Sequence, residues 1–158
     1  MKLILSIILA IAVVLSQSPT VQAWGMEGHG LTGELARKLM DTKTIEYVER
    51  IAPDFNSGNW SYGSTWADSR GRFKYPWSSP LHYTDSDDDP PEYCEYVDER
   101  VWADDNCITG ALTNFTDQLL SCETNFQIND ATKFLIHFIG DLHQPLHASG
   151  KARGGNDI

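Results

Sequence analysis

The chain has 158 residues, with 12 basic and 22 acidic side chains and a formal net charge of −10 at pH 7. This length suffices for one domain with a hydrophobic core. A strongly acidic composition disfavours general binding to phosphate backbones, because such binding depends on Lys and Arg releasing counterions. If the substrate is a phosphate ester, metal ions therefore have to supply the positive charge.

Residues 1–23 have the features of a secretory signal peptide. Lys2 precedes an apolar run, and small residues end the segment, as a signal peptidase requires. A membrane anchor is the alternative, but about 13 apolar residues are fewer than the roughly 20 that span a bilayer. We therefore expect cleavage before Trp24, secretion of residues 24–158, and no stable membrane association.

Two helices are predicted early in the mature chain. The stretch HGLTGELARKLM predicts an amphipathic helix, because its apolar residues recur every four positions at Leu31, Leu35 and Leu39, with Ala36 and Met40 beside them. The apolar spacing in TIEYVERIA predicts a second helix, which Pro53 ends. Residues 53–106 are rich in Gly, Pro, Ser, Asp and aromatic side chains, so we expect an ordered loop with short helical pieces.

Two more helices are predicted in the second half. The stretch ITGALTNFTDQLLSC places these apolar residues on one face: Ile108, Ala111, Leu112, Phe115 and Leu119. The stretch TKFLIHFIGDLHQ follows Asp130, a plausible N-cap, and continues until Pro145 disturbs it. Its apolar residues cover nearly the whole circumference, so this helix belongs in the middle of a bundle. The fold class is therefore mainly α.

The last helix carries a candidate metal site. His137 and Asp141 are four residues apart and share one face of the apolar helix. A buried imidazole beside a buried carboxylate is costly unless the two are paired or metal-bound, and a structural His–Asp pair is the alternative. His147 follows after Pro145, which lets the chain turn back toward the same cavity, whereas His143 points elsewhere. Imidazoles and carboxylates are the ligands that zinc takes outside thiolate sites.

Further candidate ligands lie earlier in the chain. Asp68 in STWADS and His82 in SPLHYTD are each unremarkable alone, since most such residues are solvated or structural. Once the signal is removed, the α-amino group and carbonyl oxygen of Trp24 can chelate a cation, because a metal deprotonates an amine whose pKa is about 7.7–8.0. His29 would complete that site. The alternative for Trp24 is packing as a hydrophobic N-terminus.

The cysteines and sequons fit a secreted protein. Of Cys94, Cys107 and Cys122 we favour a Cys94–Cys107 disulfide, with Cys122 pairing beyond this chain, although three cysteines allow any pair. Asn59 and Asn114 stand in N-x-Ser/Thr sequons and are candidate glycosylation sites, although such patterns also arise by chance.

Five stretches carry a resemblance to a known family: WGMEGH directly after the signal, STWADS, SPLHYTD, NCITGALTNFTDQL and HFIGDLHQPLHASG followed by GGND. Together they resemble the secreted, zinc-dependent, single-strand-specific nucleases of fungi and plants, which are related to bacterial zinc phospholipase C. The resemblance covers nearly all of residues 24–158. It implies a mainly α-helical phospholipase C/nuclease-like fold with long ordered loops, and a site of three zinc ions.

The resemblance also implies the ligand sets. One zinc would take Asp68, His82, His137 and Asp141. A second would take the amino nitrogen and carbonyl of Trp24, His29 and the bridging carboxylate Asp141. The third would take His147 with a His and an Asp from a later family motif, which is absent because the sequence stops at Ile158. We therefore interpret residues 24–158 as the N-terminal part of a zinc nuclease domain, with full protein ligand sets for two of the three ions.

The activity implied is endonucleolytic hydrolysis of single-stranded DNA and RNA to 5′-phosphorylated products, with 3′-nucleotidase activity, by a monomer. Asp68 would orient the attacking hydroxide, and an arginine shortly after it would stabilise charge; we prefer Arg70 to Arg72. Tyr83 would stack on a nucleobase, which explains a preference for single strands, although loop packing is its alternative role. A zinc phospholipase C and an inactive metal-binding fragment are the competing hypotheses.

Overall fold

The computed structural model describes residues 24–84, 86, 92, 106–121, 127–148 and 152–156. The predicted signal segment, Cys94 and Cys122 lie outside the described residues. Within these ranges every regular element is helical apart from a single bridge at Ser86, which confirms the mainly α fold class.

Seven α-helices are defined in the described part of the chain. Their bounds are Met26–Leu39 (α1), Thr42–Ile51 (α2), Trp60–Ser64 (α3), Arg72–Lys74 (α4), Ile108–Leu120 (α5), Gln127–Leu142 (α6) and Ala152–Gly155 (α7). The 3₁₀ segments are Pro53–Gly58, Pro76–His82 and Pro145–His147, and one π-helical turn spans Ala67–Gly71. The predicted loop after Pro53 is therefore helical almost throughout up to His82.

Helix α1 forms where the leucine spacing predicts it, but it buries a different face. Leu31, Leu35 and Leu39 are 71%, 58% and 78% exposed. The buried side instead carries His29 and small residues, because α1 approaches α3 closely. A Cβ atom on Gly33 would lie only 2.6 Å from the Ser64 hydroxyl. The period of the leucines thus indicates the helix correctly, whereas the buried face is set by a partner distant in the sequence.

Two apolar clusters form the core on either side of α6. One joins α2, α3 and the first 3₁₀ segment, through Val48, Ala52, Phe55, Trp60 and Ile136. The other joins α5 to α6, and its buried members include Ile108, Ala111, Phe115, Phe134 and Phe138. The predicted apolar face of α5 is confirmed, since Leu112 and Leu119 also pack against this second cluster.

Helix α6 occupies the central position that its apolar circumference predicts. It begins at Gln127 rather than after Asp130, so the prediction of Asp130 as N-cap is wrong. The Asp130 carboxylate instead accepts hydrogen bonds from Lys74 and Tyr75, which lie in and directly after α4. The reason is a tertiary contact that local capping signals do not reveal. No helix in the described ranges is both long and apolar enough to cross a membrane.

Candidate metal centre

Four imidazoles surround the Asp141 carboxylate. On one side, Asp141 Oδ1 lies 3.2 Å from His29 Nε2 and 3.5 Å from His147 Nε2. On the other side, Asp141 Oδ2 lies 2.9 Å from His82 Nδ1 and 3.2 Å from His137 Nε2. Each carboxylate oxygen therefore has its own pair of ring nitrogens, which is the arrangement expected of a bridging ligand.

Asp68 lies across the cluster from Asp141. Its Oδ1 atom is 3.8 Å from both His82 Nδ1 and His137 Nε2, and its Oδ2 atom is 3.6 Å from His29 Nε2. Two overlapping triads have donor atoms that all lie within 4.8 Å of one another: His29, His137 and Asp141, and Asp68, His82 and His137. Ligands at about 2.0–2.1 Å from a tetrahedral zinc lie about 3.3 Å apart, so these separations are close to those that a cation needs.

Five separate elements bring these side chains together. His29 comes from α1, His137 and Asp141 from one face of α6, and His82 and His147 from the ends of two 3₁₀ segments. Backbone pairing fixes the last two segments side by side, since the Thr84 amide donates to the His147 carbonyl over 2.9 Å. Asp68 stands in the π-helical turn, in which the Gly71 amide donates to the Trp66 carbonyl over 2.8 Å. Single π-turns of this kind are frequent at functional sites.

Backbone carbonyls orient two of the rings. His137 Nδ1 donates to the Ser64 carbonyl over 2.8 Å, and His147 Nδ1 donates to the Gly154 carbonyl over 2.9 Å. Each bond places the ring proton on Nδ1 and leaves the Nε2 lone pair directed at the cluster. Ser64 also donates from its hydroxyl to the His29 carbonyl over 2.7 Å, so one residue of α3 connects two ligand-bearing helices.

The electrostatics keep Asp141 ionised. Burial by itself raises the pKa of this carboxyl, but hydrogen bonds with His137, His147, His29 and His82 hold the pKa well below its usual range. For His82, burial is the larger effect and lowers the pKa of the imidazole, against the opposing hydrogen bond with Asp141. For His137 and His147, burial also lowers the pKa, but the hydrogen bond with Asp141 outweighs burial and raises it. The centre therefore offers a carboxylate that stays anionic and, at His82, an imidazole that stays neutral, which are the forms in which a metal binds these groups.

The residues present fit a divalent cation better than a closed hydrogen-bond network. His29 Nδ1 and His82 Nε2 are buried with no hydrogen-bond partner among the described residues. His29 and His137 stack with ring centroids 3.7 Å apart, an arrangement in which neither ring can donate to the other. A set of imidazoles and carboxylates crowded in this way is typical of zinc sites.

A search of protein-family models matches residues 24–158 to the family described as S1/P1 nuclease. The chain belongs to the S1/P1 nuclease family. The similar curated proteins include Endonuclease 2 of Arabidopsis thaliana, which is 36% identical over 157 residues, covering 92% of this chain and 52% of that protein. Nuclease S1 of Aspergillus oryzae is 31% identical (93% and 52% covered), and Nuclease P1 of Penicillium citrinum is 34% identical (85% and 51% covered). The chain thus spans about half the length of these relatives.

An open cavity of about 520 Å³ lies next to the centre of this S1/P1 family member. Its wall includes four of the candidate side-chain ligands, which are Asp68, His82, Asp141 and His147. Trp24 and Tyr83 also line the cavity, so both residues singled out by the sequence lie beside the cluster. The Trp24 ring meets the His29 ring edge-on, with centroids 6.4 Å apart. Ligation by the Trp24 amino group stays a prediction.

The two candidate arginines point in different directions. Arg72 lines the cavity and donates from Nη2 to Asp68 Oδ1 over 3.0 Å. Arg70, the preferred candidate, lies with its Nη1 atom 3.8 Å from Asp54 and its guanidinium 5.1 Å from the Tyr62 ring centroid, and it is not part of the cavity wall. The structure therefore brings Arg72 rather than Arg70 to the site. Their spacing offered a signal, since Arg72 is four residues after Asp68.

Other side chains around the cavity were not singled out from the sequence. Ser79 and Asn156 contribute to its wall, and Ser64 and Gly154 orient ligand rings. All four nevertheless lie in the quoted family motifs: Ser64 in STWADS, Ser79 in SPLHYTD, and Gly154 and Asn156 in GGND. Carbonyl acceptors such as those of Ser64 and Gly154 leave no trace in residue type, because every residue has one.

The remaining predicted residues lie away from the centre. Asn59 and Asn114 are both exposed, as glycosylation would require. Cys107 is buried, and its predicted partner Cys94 is outside the described residues. His143 is exposed and donates from Nδ1 to the Ile139 carbonyl of its own helix over 2.6 Å, in keeping with its exclusion from the ligand set.

Proposed function

We propose that this chain carries the metal-binding part of a zinc-dependent endonuclease. The enzyme hydrolyses phosphodiester bonds of single-stranded DNA and RNA to 5′-phosphorylated products, and it also removes 3′-phosphates from nucleotides. The observation that carries the proposal is the position of Asp141, with two imidazoles on each carboxylate oxygen, in a chain of the S1/P1 nuclease family.

The proposed ligand sets follow the two sides of Asp141. Asp68, His82, His137 and Asp141 would hold one zinc; Trp24, His29 and Asp141 would hold a second. His147 would contribute to a third. When bound, the ions would activate water and neutralise most of the phosphate charge.

Asp68 is the residue proposed to orient the attacking water. Its side chain is 30% exposed, whereas that of Asp141 is almost fully buried. A carboxylate oxygen at the edge of the cavity can accept a hydrogen bond from a water molecule and hold it for in-line attack on phosphorus. The bond that breaks joins phosphorus to the 3′-oxygen, so the phosphate stays on the 5′-oxygen of the next nucleotide.

Arg72 and Tyr83 are proposed to contact the substrate. The Arg72 guanidinium is held by Asp68 over 3.0 Å and lies in the cavity wall, where it can donate to the oxygens of the phosphate as charge develops. Tyr83 is positioned by its carbonyl, which accepts from the Ile108 amide over 3.1 Å. A base stacked on its ring has to be unpaired, which favours single strands.

Secretion and processing complete the proposal. Removal of residues 1–23 exposes the Trp24 amino group, so the precursor lacks one ligand. Asn59 and Asn114 would carry glycans, Cys94 and Cys107 would form a disulfide, and the enzyme would act as an extracellular monomer.

The test is hydrolysis by the full chain, expressed for secretion and supplied with zinc. Single-stranded DNA, RNA, duplex DNA, a 3′-nucleotide and phosphatidylcholine are assayed side by side, with Asp68→Asn as the inactive control. Faster cleavage of the single strands, with 5′-phosphate ends, supports the proposal. Hydrolysis of phosphatidylcholine alone would make the protein a phospholipase C. Retention of zinc without any hydrolysis would make it a metal-binding protein.

A further inference from the structure

A buried lysine lies one helical turn before the metal ligands of α6. Lys133 is only 4% exposed, and its ammonium group lies 2.9 Å from carboxylate oxygens of both Asp54 and Asp130. The same nitrogen lies 3.8 Å from the centroid of the Trp66 ring. Burial of a cation is costly unless partners surround it. The two carboxylates and the aromatic ring are the partners that compensate this cost for Lys133.

The partners of Lys133 hold the segment that carries Asp68, here called the Asp68 segment and comprising residues 66–75. Trp66 begins the segment and contacts the lysine directly. At its other end, Lys74 and Tyr75 each donate to Asp130 over 2.6 Å. The segment is therefore fixed to α6 at both ends through groups that meet Lys133.

Asp68 itself has weaker restraints. Its carboxylate is 30% exposed and lies 3.6–3.8 Å from the ring nitrogens of the cluster. The shorter hydrogen bond, from Arg72 over 3.0 Å, comes from within the Asp68 segment and does not tie it to α6. Its backbone belongs to a single π-turn followed by the three-residue helix α4, and such short elements are not stable alone. The position of this carboxylate relative to the ligands on α6 thus depends on external anchors.

Lys133, His137 and Asp141 follow one another at intervals of four residues in α6. At this spacing they lie on one side of the helix, so the anchor and two metal donors belong to one rigid element. A shift of the lysine contacts would move the Asp68 carboxylate against His137, without moving His29 on α1.

We infer that Lys133 is a positioning residue for one of the two metal sites, the site formed by Asp68, His82, His137 and Asp141. The inference rests on the proposed function for its metal, but the segment's position can be measured without one. Loss of the lysine charge releases the Asp68 segment and lowers the affinity for the ion that Asp68 binds. The ion held by Trp24 and His29 is unaffected.

The experiment compares Lys133→Met with Ile136→Ala in the full secreted chain. Ile136 lies on the same helix but packs into the opposite apolar cluster, so its truncation reports the effect of lost stability alone. Hydrogen exchange of the Gly71 and Tyr75 amides is measured in the presence of a chelator, so that no metal is bound. The affinities of the two zinc sites are measured separately, by competition with a chelator of known affinity. We expect Lys133→Met to lower protection of these two amides at least tenfold. It should also lower the zinc affinity of one site by about 10–100-fold, the usual range for residues that orient ligands, and leave the affinity of the other site within about threefold of the wild-type value.

Unchanged amide protection in Lys133→Met would overturn the inference whatever the metal result. If Lys133→Met lowers the zinc affinity of both sites equally, as expected for Ile136→Ala, the inference would also be overturned. If Lys133→Met loses this protection but the wild-type chain binds no zinc, Lys133 stays the anchor of the segment and the proposed function is refuted instead. If Lys133→Met does not fold, Asp54→Asn removes one partner of the lysine, a carboxylate side chain that is 20% exposed, and should produce the same selective changes at smaller amplitude.

Discussion

Substitution of Asp141 by Asn tests the bridging role most sharply. The change keeps the size of the side chain and removes its charge. Asp141 Oδ1 faces His29 and His147, and Oδ2 faces His82 and His137. An amide has one oxygen and one NH₂ group, and the NH₂ group does not bind a cation. One ion therefore loses a donor, and both ions lose the negative charge.

The magnitude follows from this double role. Changes to residues that only orient a ligand cost about 10–100-fold in metal affinity. A shared direct ligand should cost more, so we expect at least about 100-fold at each site, or about 2.8 kcal/mol. Asp68→Asn, which alters a ligand of one ion only, should weaken one site and leave the other unchanged.

Zinc competition titrations, with metal analysis of the desalted protein, measure both effects. Asp117→Asn provides the matched control, because Asp117 is exposed on α5 and lies far from the ligands in sequence. Retention of two tightly bound ions by Asp141→Asn would refute the bridging role. If Asp141→Asn loses only one of the two ions, Asp141 is a ligand of that ion alone.

Three further variants test other parts of the proposal. One Ala inserted before Trp24 should abolish binding of one zinc with the fold intact, and unchanged zinc stoichiometry by native mass spectrometry would argue against the amino-terminal ligand. Arg72→Ala should lower kcat on single-stranded DNA by about 100–1,000-fold, whereas Arg70→Ala should stay within about twofold; the reverse ranking would restore Arg70. Asp130→Asn should lower the free energy of unfolding by about 3–5 kcal/mol at neutral pH, because Lys133 loses a buried partner. Although burial opposes it, hydrogen bonds from Lys74, Tyr75 and Lys133 lower the pKa of Asp130. The contribution of Asp130 to stability is therefore complete above the unfolded pKa of about 3.9 and is lost as pH falls through the lower folded pKa. If the free energies of unfolding of the wild-type protein and Asp130→Asn, measured by denaturant titration, differ by the same amount down to about pH 2, this pH dependence is wrong.

Local periodicity was sufficient to predict the four longest helices, α1, α2, α5 and α6, and the ligand pair on α6. His137 and Asp141 share a face in any helix, so their proximity needs no tertiary information. The convergence of His29, Asp68, His82 and His147 on that pair does need it, and here the motifs of the family supplied what spacing could not.

Predictions that depended on distant partners were less accurate. The leucines of α1 remain exposed because Gly33 and Ser64 bring α3 against the other side of the helix. Asp130 accepts bonds from Lys74 and Tyr75 rather than capping α6. The choice between Arg70 and Arg72 depended on a π-turn, whose extra residue changes the direction of every side chain after it. Neither the two tertiary contacts nor the π-turn can be recognised in the local sequence, although the four-residue spacing of Arg72 from Asp68 was a signal for their pairing.

Anomalous diffraction at the zinc absorption edge, from crystals of the secreted chain, would locate the proposed ions themselves. We predict two peaks flanking Asp141, one on the side of Asp68, His82 and His137, and one on the side of Trp24 and His29. A correctly folded chain grown with zinc that shows no peak between these side chains would contradict it.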